Sequence, residues 1–354
     1  MFEQKLAFDF ATMQKIIQRI GQIDQFKGTW QQLEKADNVY LRELRRIATI
    51  QSIGSSTRIE GNTMTDAEIA TFIKNLKISR LQSREEEEVA GYYDTLAIVN
   101  EQYNDIPISL SAIHSLHNLL LKYSNKDSRH KGKFKELANS VVANYPDGTT
   151  HVIFNTTSPF LVEKEMQELV DWANNAFETA TLHPLLVIAT FVYEFLSIHP
   201  YQDGNGRLSR LLTNLLLLKT DYKFVLYVSL EQIVEKKKAA YYQALMSGQK
   251  ERYKDTEIIS EWTLFFLESL SELVVLLAHK ITEYRKIGSY LNEKQKAIRD
   301  FIQKSQPVKA KDIQTHFPDF SKNKIKNDLI YLENAFEIEK IGEKRNAIYI
   351  IKTK

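Results

Sequence analysis

The stretch that most limits the fold is Ile198 to Arg210, IHPYQDGNGRLSR, because it joins two long apolar runs. Leu185–Leu196 reads LLVIATFVYEFL, too long and uninterrupted for most strands, which predicts a buried helix. Leu208–Lys219, LSRLLTNLLLLK, predicts a second. The link between them holds Pro200, Gly204 and Gly206, interleaved with His199, Asp203, Asn205 and Arg207. That is a turn closing onto a helix N-terminus. Glycines let backbone N–H groups converge there and the helix dipole adds positive potential, a combination that binds anions and phosphate above all.

The side chains narrow the chemistry. A histidine can take a proton near neutral pH. An aspartate a few residues on can hold Mg²⁺ against phosphate oxygens. Arg207 and Arg210, three apart, share roughly one helix face and can fork onto phosphate or carboxylate. A base, a metal ligand, an anion nest and two guanidinium groups suit attack by a hydroxyl on a nucleotide phosphate. The plainer alternative is a structural turn with a satisfied histidine and surface arginines.

HPYQDGNGRLSR resembles the signature of the Fic family, HPFxDGNGRxxR, at every fixed position except Tyr201, where the family mostly has Phe. The resemblance implies a mainly α fold and transfer of AMP from ATP to a protein hydroxyl, that is, a protein adenylyltransferase. It implies that His199 deprotonates the target hydroxyl and that Asp203 holds Mg²⁺. Gly204, Asn205 and Gly206 would cradle the phosphates, with Arg207 and Arg210 on the outer ones.

Upstream, residues 36 to 58 read as one amphipathic helix, with Leu41, Leu44, Ile47, Ile50 and Ile53 at helical spacing. Gly61 and Asn62 are a helix stop. Many Fic proteins carry an inhibitory helix with the pattern [S/T]xxxE[G/N], and Ser56 through Gly61 is similar to it. The resemblance implies that Glu60, on an inhibitory helix at about 40–62, pairs with Arg210 and leaves ATP in an unproductive pose. A capped helix end with a solvated glutamate is the plain alternative.

Residues 63 to 104 are expected to be helical, with Thr65 as N-cap and Glu85–Glu88 as a solvated face. Ser109 starts another helix. His114 and His117 lie near one face of it, but no third ligand accompanies them, so they read as packing or surface residues. Gly132, Pro146, Gly148 and Pro159 punctuate SVVANY and HVIFN around a Pro-Asp-Gly turn, a hairpin signal. In Fic proteins a hairpin flap pins the target peptide by strand addition, which implies a target-protein flap at about 139–156. The chain departs from the family at Gly132-Lys133-Phe134-Lys135, where GxxR is typical. Glu163–Glu178 predicts an amphipathic helix, and His183 before Pro184 a capping residue. Tyr241 and Tyr242, on a helix expected at Glu235–Ser247, are adenine-pocket candidates by resemblance, or plain core aromatics. A long helix over Ile258–Tyr284 closes the core.

The chain has 354 residues, enough for two or three domains. The expected division is 1–105 (N-terminal helices), 106–287 (Fic core) and 288–354. In the last part, helices at Leu291–Lys304, Val308–His316 and Ser321–Ala335 precede strands at Ile338–Ile341 and Ala347–Ile351, the winged-helix order. It carries 14 Lys and Arg against 9 Asp and Glu, with Lys322, Lys324 and Lys326 on its third helix and Lys344 and Arg345 on its wing. Such a domain can bind DNA or serve as a docking or dimerisation module. The whole chain, at +2, is nearly neutral and says nothing global about partners. With no cysteine there is no disulfide and no thiolate-held metal. MFEQKLAFDF has no signal-peptide pattern and no apolar run is free of charge over a membrane's thickness, so no membrane partner and a cytoplasmic location are expected. Two other functions fit the same features. One is a nucleotide-sensing, DNA-binding regulator on a Fic fold. The other is removal of AMP, with Glu60 positioning water. A homodimer that governs inhibition is compatible with all three.

Overall fold

The computed structural model describes residues 2–34, 39–76, 81–124, 126, 129–144, 150–288, 291–334, 337–342 and 347–351. Backbone contacts divide the chain into two compact units. One is Met1–Lys35 with Leu44–Val275, the other Ala36–Glu43 with Leu276–Lys354. The described residues are mainly helical, and none of their helices is long and apolar enough to cross a membrane.

At the centre of the first unit lie α7 (Pro184–Ile198) and α8 (Asn205–Lys219), the two apolar runs. α7 is buried without interruption from Val187 to Ile198, as a helix apolar on every face requires. Its start is fixed locally. Pro184 occupies the first turn, where no amide donor is needed, and His183 Nδ1 accepts from the Leu185 N–H at 3.3 Å. α4 (Arg84–Gln102) and α5 (Leu110–Leu120) pack on α8, and α6 (Pro159–Thr179) packs on α7. α4 and α5 approach each other at Gly91, where an added Cβ would overlap the carbonyl oxygen of Leu120.

α1 (Phe10–Glu34) and α2 (Val39–Ile59) precede this core. Residues 63–104, expected to be helical, hold two helices, α3 (Asp66–Asn75) and α4. Each has its own start signal. Thr65 and Glu68 form a capping box, and Ser83 accepts from the Glu86 N–H at 3.2 Å. The helix expected at Glu235–Ser247 is likewise two, α9 (Leu230–Lys236) and α10 (Lys238–Gln249), because Ser229 caps α9 early and Lys237 breaks the run. Tyr241 and Tyr242 therefore sit near the start of α10. α11 (Ser260–Gly288) follows.

The hairpin consists of β1 (Ser140–Asn144) and β2 (Thr150–Asn155), antiparallel, with an irregularity between Val141 and Val142. Its Pro146-Asp147-Gly148 turn lies outside the described residues.

In the second unit the order is α12 (Glu293–Ser305), β3 (Val308–Lys309), α13 (Ala310–His316), α14 (Lys322–Asn334), β4 (Ile338–Ile341) and β5 (Ile348–Ile351). Val308 and Lys309, expected to open a helix, form a strand against Tyr349 and Ile348. The β-branched Val308 suits that pairing, and Asp312 starts the helix one residue later by accepting from the Lys309 N–H at 2.8 Å. The sheet order is β3-β5-β4, over a core that includes Leu291, Ile298, Ile302, Ile313, Ile325 and Leu332. Lys344 and Arg345 of the expected wing lie outside the described residues.

Candidate active site

The loop between α7 and α8 is held from three sides. Asn205 staples it internally: its Oδ1 accepts from the Tyr201 N–H at 2.8 Å and its Nδ2 donates to the Tyr201 carbonyl at 2.7 Å. The Asn205 side chain is thus committed, and only its backbone N–H is left to face an anion. From α5, His117 stacks on Tyr201 with ring centroids 3.7 Å apart, and His114 Nδ1 shares a hydrogen bond with the Tyr201 hydroxyl at 2.9 Å. His117 Nδ1 also accepts from the Gly132 N–H at 2.9 Å, which fixes the tautomer, so Nε2–H donates to the Asp203 carbonyl at 3.0 Å. Burial pushes the His117 imidazole down to about 4. The third side is the segment before the flap. There Lys135 binds the carbonyls of Ile198 and Pro200, and Asn139 Nδ2 donates to the Tyr201 carbonyl at 2.8 Å.

His199 ends α7 with left-handed backbone, φ 52°. Its Nδ1 faces the Leu196 carbonyl at 3.3 Å. Burial and the nearby Lys135 charge lower its pKa to about 4, against upward pulls from the Leu196 carbonyl, Glu60 and Asp203. The imidazole is therefore neutral at pH 7 and can accept a proton. Gly204, φ 82°, is the N-cap of α8, a conformation that suits glycine. The first N–H groups of α8 have no carbonyl one turn behind them and carry the positive end of the dipole.

Asp203 bridges loop and helix. Its Oδ1 accepts from the Gly204 N–H at 2.6 Å and from Arg207 at 3.2 Å, and its Oδ2 lies 3.4 Å from Arg84 of α4. Burial works against its charge, but Arg207, the Gly204 N–H and Arg84 together hold its pKa below the ordinary value.

The two arginines, expected on one face, diverge. Arg207 reaches Asp203 and, at 3.6 Å, Glu88. Glu88, expected to be solvated, is mostly buried between Arg207 and Arg84. Arg210 turns to the end of α2. Its Nε donates to Ser56 Oγ at 2.8 Å, and its Nη2 to the Ser56 carbonyl at 2.9 Å and to Glu60 Oε1 at 2.7 Å. Burial opposes the Arg210 charge, but Glu60, Tyr241 and Tyr92 outweigh it and hold the guanidinium protonated. Glu60 also lies over Gly206, where a Cβ would overlap its carboxylate. Two salt bridges and a carbonyl contact lock the α2 terminus. Arg58 pairs with Glu235 at 2.7 Å and Asp66 at 3.0 Å, and Lys238 Nζ donates to the Ile59 carbonyl at 2.8 Å. Arg207 Nε and Nη1 and Arg210 Nη1 are buried without a hydrogen-bond partner among the described residues. A ligand rich in acceptor oxygens would satisfy them.

Tyr241 is buried beside Arg210, at the wall of a small interior cavity, with Tyr242 edge-on at 5.2 Å. The structure thus gathers His199, Asp203, Gly204, Gly206, Arg207, Arg210, Ser56, Glu60 and Tyr241 around one helix terminus. Sequence reasoning missed Lys135, Asn139, Glu88 and the supporting roles of His114 and His117. The departure at Lys135 from GxxR was the one available signal for the first of these.

Residues 107–217 match the model of the Fic/DOC family. The chain is 28% identical over 229 residues to the protein adenylyltransferase Fic of Drosophila willistoni, a match covering 64% of this chain and 42% of that protein. It thus spans about two fifths of the length of this curated relative. Among solved structures it is similar to a Fic family protein from Desulfovibrio desulfuricans G20, with TM-score 0.64, 21% identity and 96% of each chain covered. It is also similar to a Fic domain containing signaling protein from Bacteroides thetaiotaomicron VPI-5482, with TM-score 0.59, 23% identity, and 74% of this chain and 97% of that one covered. The segment that carries the loop thus lies within the part of the chain, residues 107–217, that matches the Fic/DOC family model.

Proposed function

We propose that the chain is a protein adenylyltransferase, moving AMP from ATP to a Ser, Thr or Tyr hydroxyl of a target protein. The observation that carries this is the neutral imidazole of His199 beside a helix N-terminus whose two arginines retain buried nitrogens with no hydrogen-bond partner among the described residues. His199 accepts the hydroxyl proton. The freed oxygen bonds to the α-phosphorus, and the bond from that phosphorus to the bridging oxygen breaks to release pyrophosphate. The N–H groups of the α8 terminus, with Arg207 and Arg210, bind the phosphate oxygens and the charge that develops there. Tyr241 and Tyr242 border the base. The flap, β1 and β2, offers strand edges to the target segment.

The donor set at Asp203 fits Mg²⁺. Among the described residues no group of three or more carboxylates or imidazoles forms a cage, and Mg²⁺ usually takes one or two carboxylates with substrate phosphates and water. Asp203 Oδ2, which among the described residues has one long contact, to exposed Arg84, is the oxygen that would bind it. When bound, Mg²⁺ would supply neutralisation of the polyphosphate.

Glu60 inhibits in this reading. It occupies Arg210 and covers Gly206, so it competes with outer phosphate oxygens for the same donors. Transfer of label from α-labelled ATP, with Mg²⁺, tests the whole reading on wild type, Glu60→Gly and His199→Ala. Self-labelling that rises at least tenfold in Glu60→Gly and vanishes when His199→Ala is added supports it, on the order expected for loss of a general base. Silence in Glu60→Gly with any protein substrate overturns it.

A second reading concerns the second unit alone. Lys322, Lys324 and Lys326 are exposed on α14, a pattern that suits contacts with nucleic-acid phosphates as an accessory activity. Duplex binding by the full chain that weakens steeply with salt, and is lost in Lys322→Glu/Lys326→Glu, supports it. Binding indifferent to both removes it.

A further inference from the structure

Lys135 is 3% exposed, yet it makes no salt bridge among the described residues. Its Nζ donates to three uncharged oxygens: Thr156 Oγ1 at 2.6 Å, Asn139 Oδ1 at 2.8 Å and the Ile198 carbonyl at 3.0 Å. Its backbone N–H donates to the Pro200 carbonyl at 2.8 Å. One residue therefore grips the carbonyls on both sides of His199. A buried ammonium facing only neutral acceptors is costly, and the two loop contacts of Lys135 fall on the carbonyl just before His199 and on that of the residue just after it.

His199 needs such support. Its φ of 52° lies where a non-glycine residue persists only when its surroundings hold it. Among the described residues its own ring is tethered by one long contact, to the Leu196 carbonyl. We infer that Lys135 is a positioning residue for the transfer, fixing the left-handed backbone at His199 and setting a positive charge beside its imidazole. This rests on the reading of His199 as the proton acceptor.

The charge acts on the ring in a definite direction. The groups acting on His199 are Lys135 from the segment before β1, Glu60 from the end of α2 and Asp203 from the loop. Lys135 disfavours the imidazolium, while the two carboxylates favour it. Burial lowers the Lys135 ammonium itself to about 8, with Glu165 of α6 pulling the other way. At neutral pH it still carries its charge.

Two measurements on the full chain test this. The first is self-labelling kinetics in a Glu60→Gly background, comparing Lys135→Gln and Lys135→Arg. Gln keeps a donor and loses the charge, and Arg keeps both. The Gln variant is expected to lose about 100-fold in kcat, the scale of a misplaced catalytic group, with KM for ATP unchanged within about twofold, and Arg to recover at least tenfold of that loss. Equal kcat in the Gln variant overturns the proposal, and so does a loss confined to KM. The second is a ¹³C NMR titration of the His199 ring in the otherwise wild-type chain, which needs no activity. The midpoint is expected to rise by about one unit in Lys135→Gln and to stay in place in Lys135→Arg. An unmoved midpoint in the Gln variant overturns the electrostatic half of the proposal. Should the Gln variant not fold, the Arg variant decides: a midpoint kept near that of wild type supports the proposal and a rise toward 6.5 overturns it. If the Glu60→Gly parent itself does not label, the transferase reading falls while the titration still decides what Lys135 does to His199.

Discussion

The hydroxyl of Tyr201 ties the loop to α5 by its hydrogen bond to His114 Nδ1 at 2.9 Å, a contact that the phenylalanine common in the family cannot make. Tyr201→Phe leaves that nitrogen without its hydrogen-bond partner, and a loss of about 1 kcal/mol in urea unfolding is expected. His117 offers a sharper test. An unfolded histidine titrates near 6.5 and this one near 4, so the unfolded chain takes up the proton first. The stability from neutral His117 is full above pH 6.5 and declines as pH falls toward 4, by about 2 kcal/mol at pH 5. Denaturation at pH 7 and pH 5 should show this difference together with a similar one from His199, whose pKa is likewise lowered to about 4, and His117→Gln should remove only the His117 share. His199 behaves alike in activity. The labelling rate of Glu60→Gly should stay flat from pH 7 to about 5 and fall only at about 4 or below, since that variant loses the upward pull of Glu60, whereas an unperturbed histidine would lose rate below 6.5. At this scale the sequence displayed the reactive residues, because Fic-like motif positions are contiguous. It hid their supports, because Tyr201 meets His117 and Arg207 meets Glu88 only after four helices have packed.

The elements that were legible carry their own punctuation. Thr65, Ser109 and Ser321 each precede a helix and accept from its first turn, at 3.3, 3.2 and 3.2 Å. No distant residue is needed for that signal. The breaks that were missed have distant or weak causes. Val308 and Lys309 become a strand because Tyr349 and Ile348 pair with them, forty residues away. The crossing of α4 and α5 is likewise invisible without coordinates, though it sets the distance between Glu88 on one helix and His117 on the other. Gly91→Ala places a methyl group against backbone that cannot swing aside, and about 2–3 kcal/mol of destabilisation is expected in thermal or urea unfolding. A variant as stable as wild type would show that the two helices can part freely.

Across the first unit, the N-terminal segment is bound to the core by charge. Lys5 Nζ meets Glu194 at 2.5 Å and Glu257 at 2.9 Å, and Arg252 meets Glu194 at 2.6 Å, all largely buried. The Lys5 carbonyl also accepts from the Ile259 N–H at 3.1 Å. Nothing in MFEQKLAFDF announces these partners, which lie some 190 and 250 residues on. Lys5→Met leaves two buried carboxylates to one guanidinium, and a loss of about 3 kcal/mol is expected in chemical denaturation. A cost below 1 kcal/mol would show that Arg252 suffices. The contact of Glu60 with Arg210 has a different reach. Both groups belong to one chain, so the carboxylate stands at a local concentration fixed by the fold rather than by how much protein is present. Diluting the protein leaves this ion pair in place, and moving the end of α2, which Arg58 and Lys238 anchor, would loosen it.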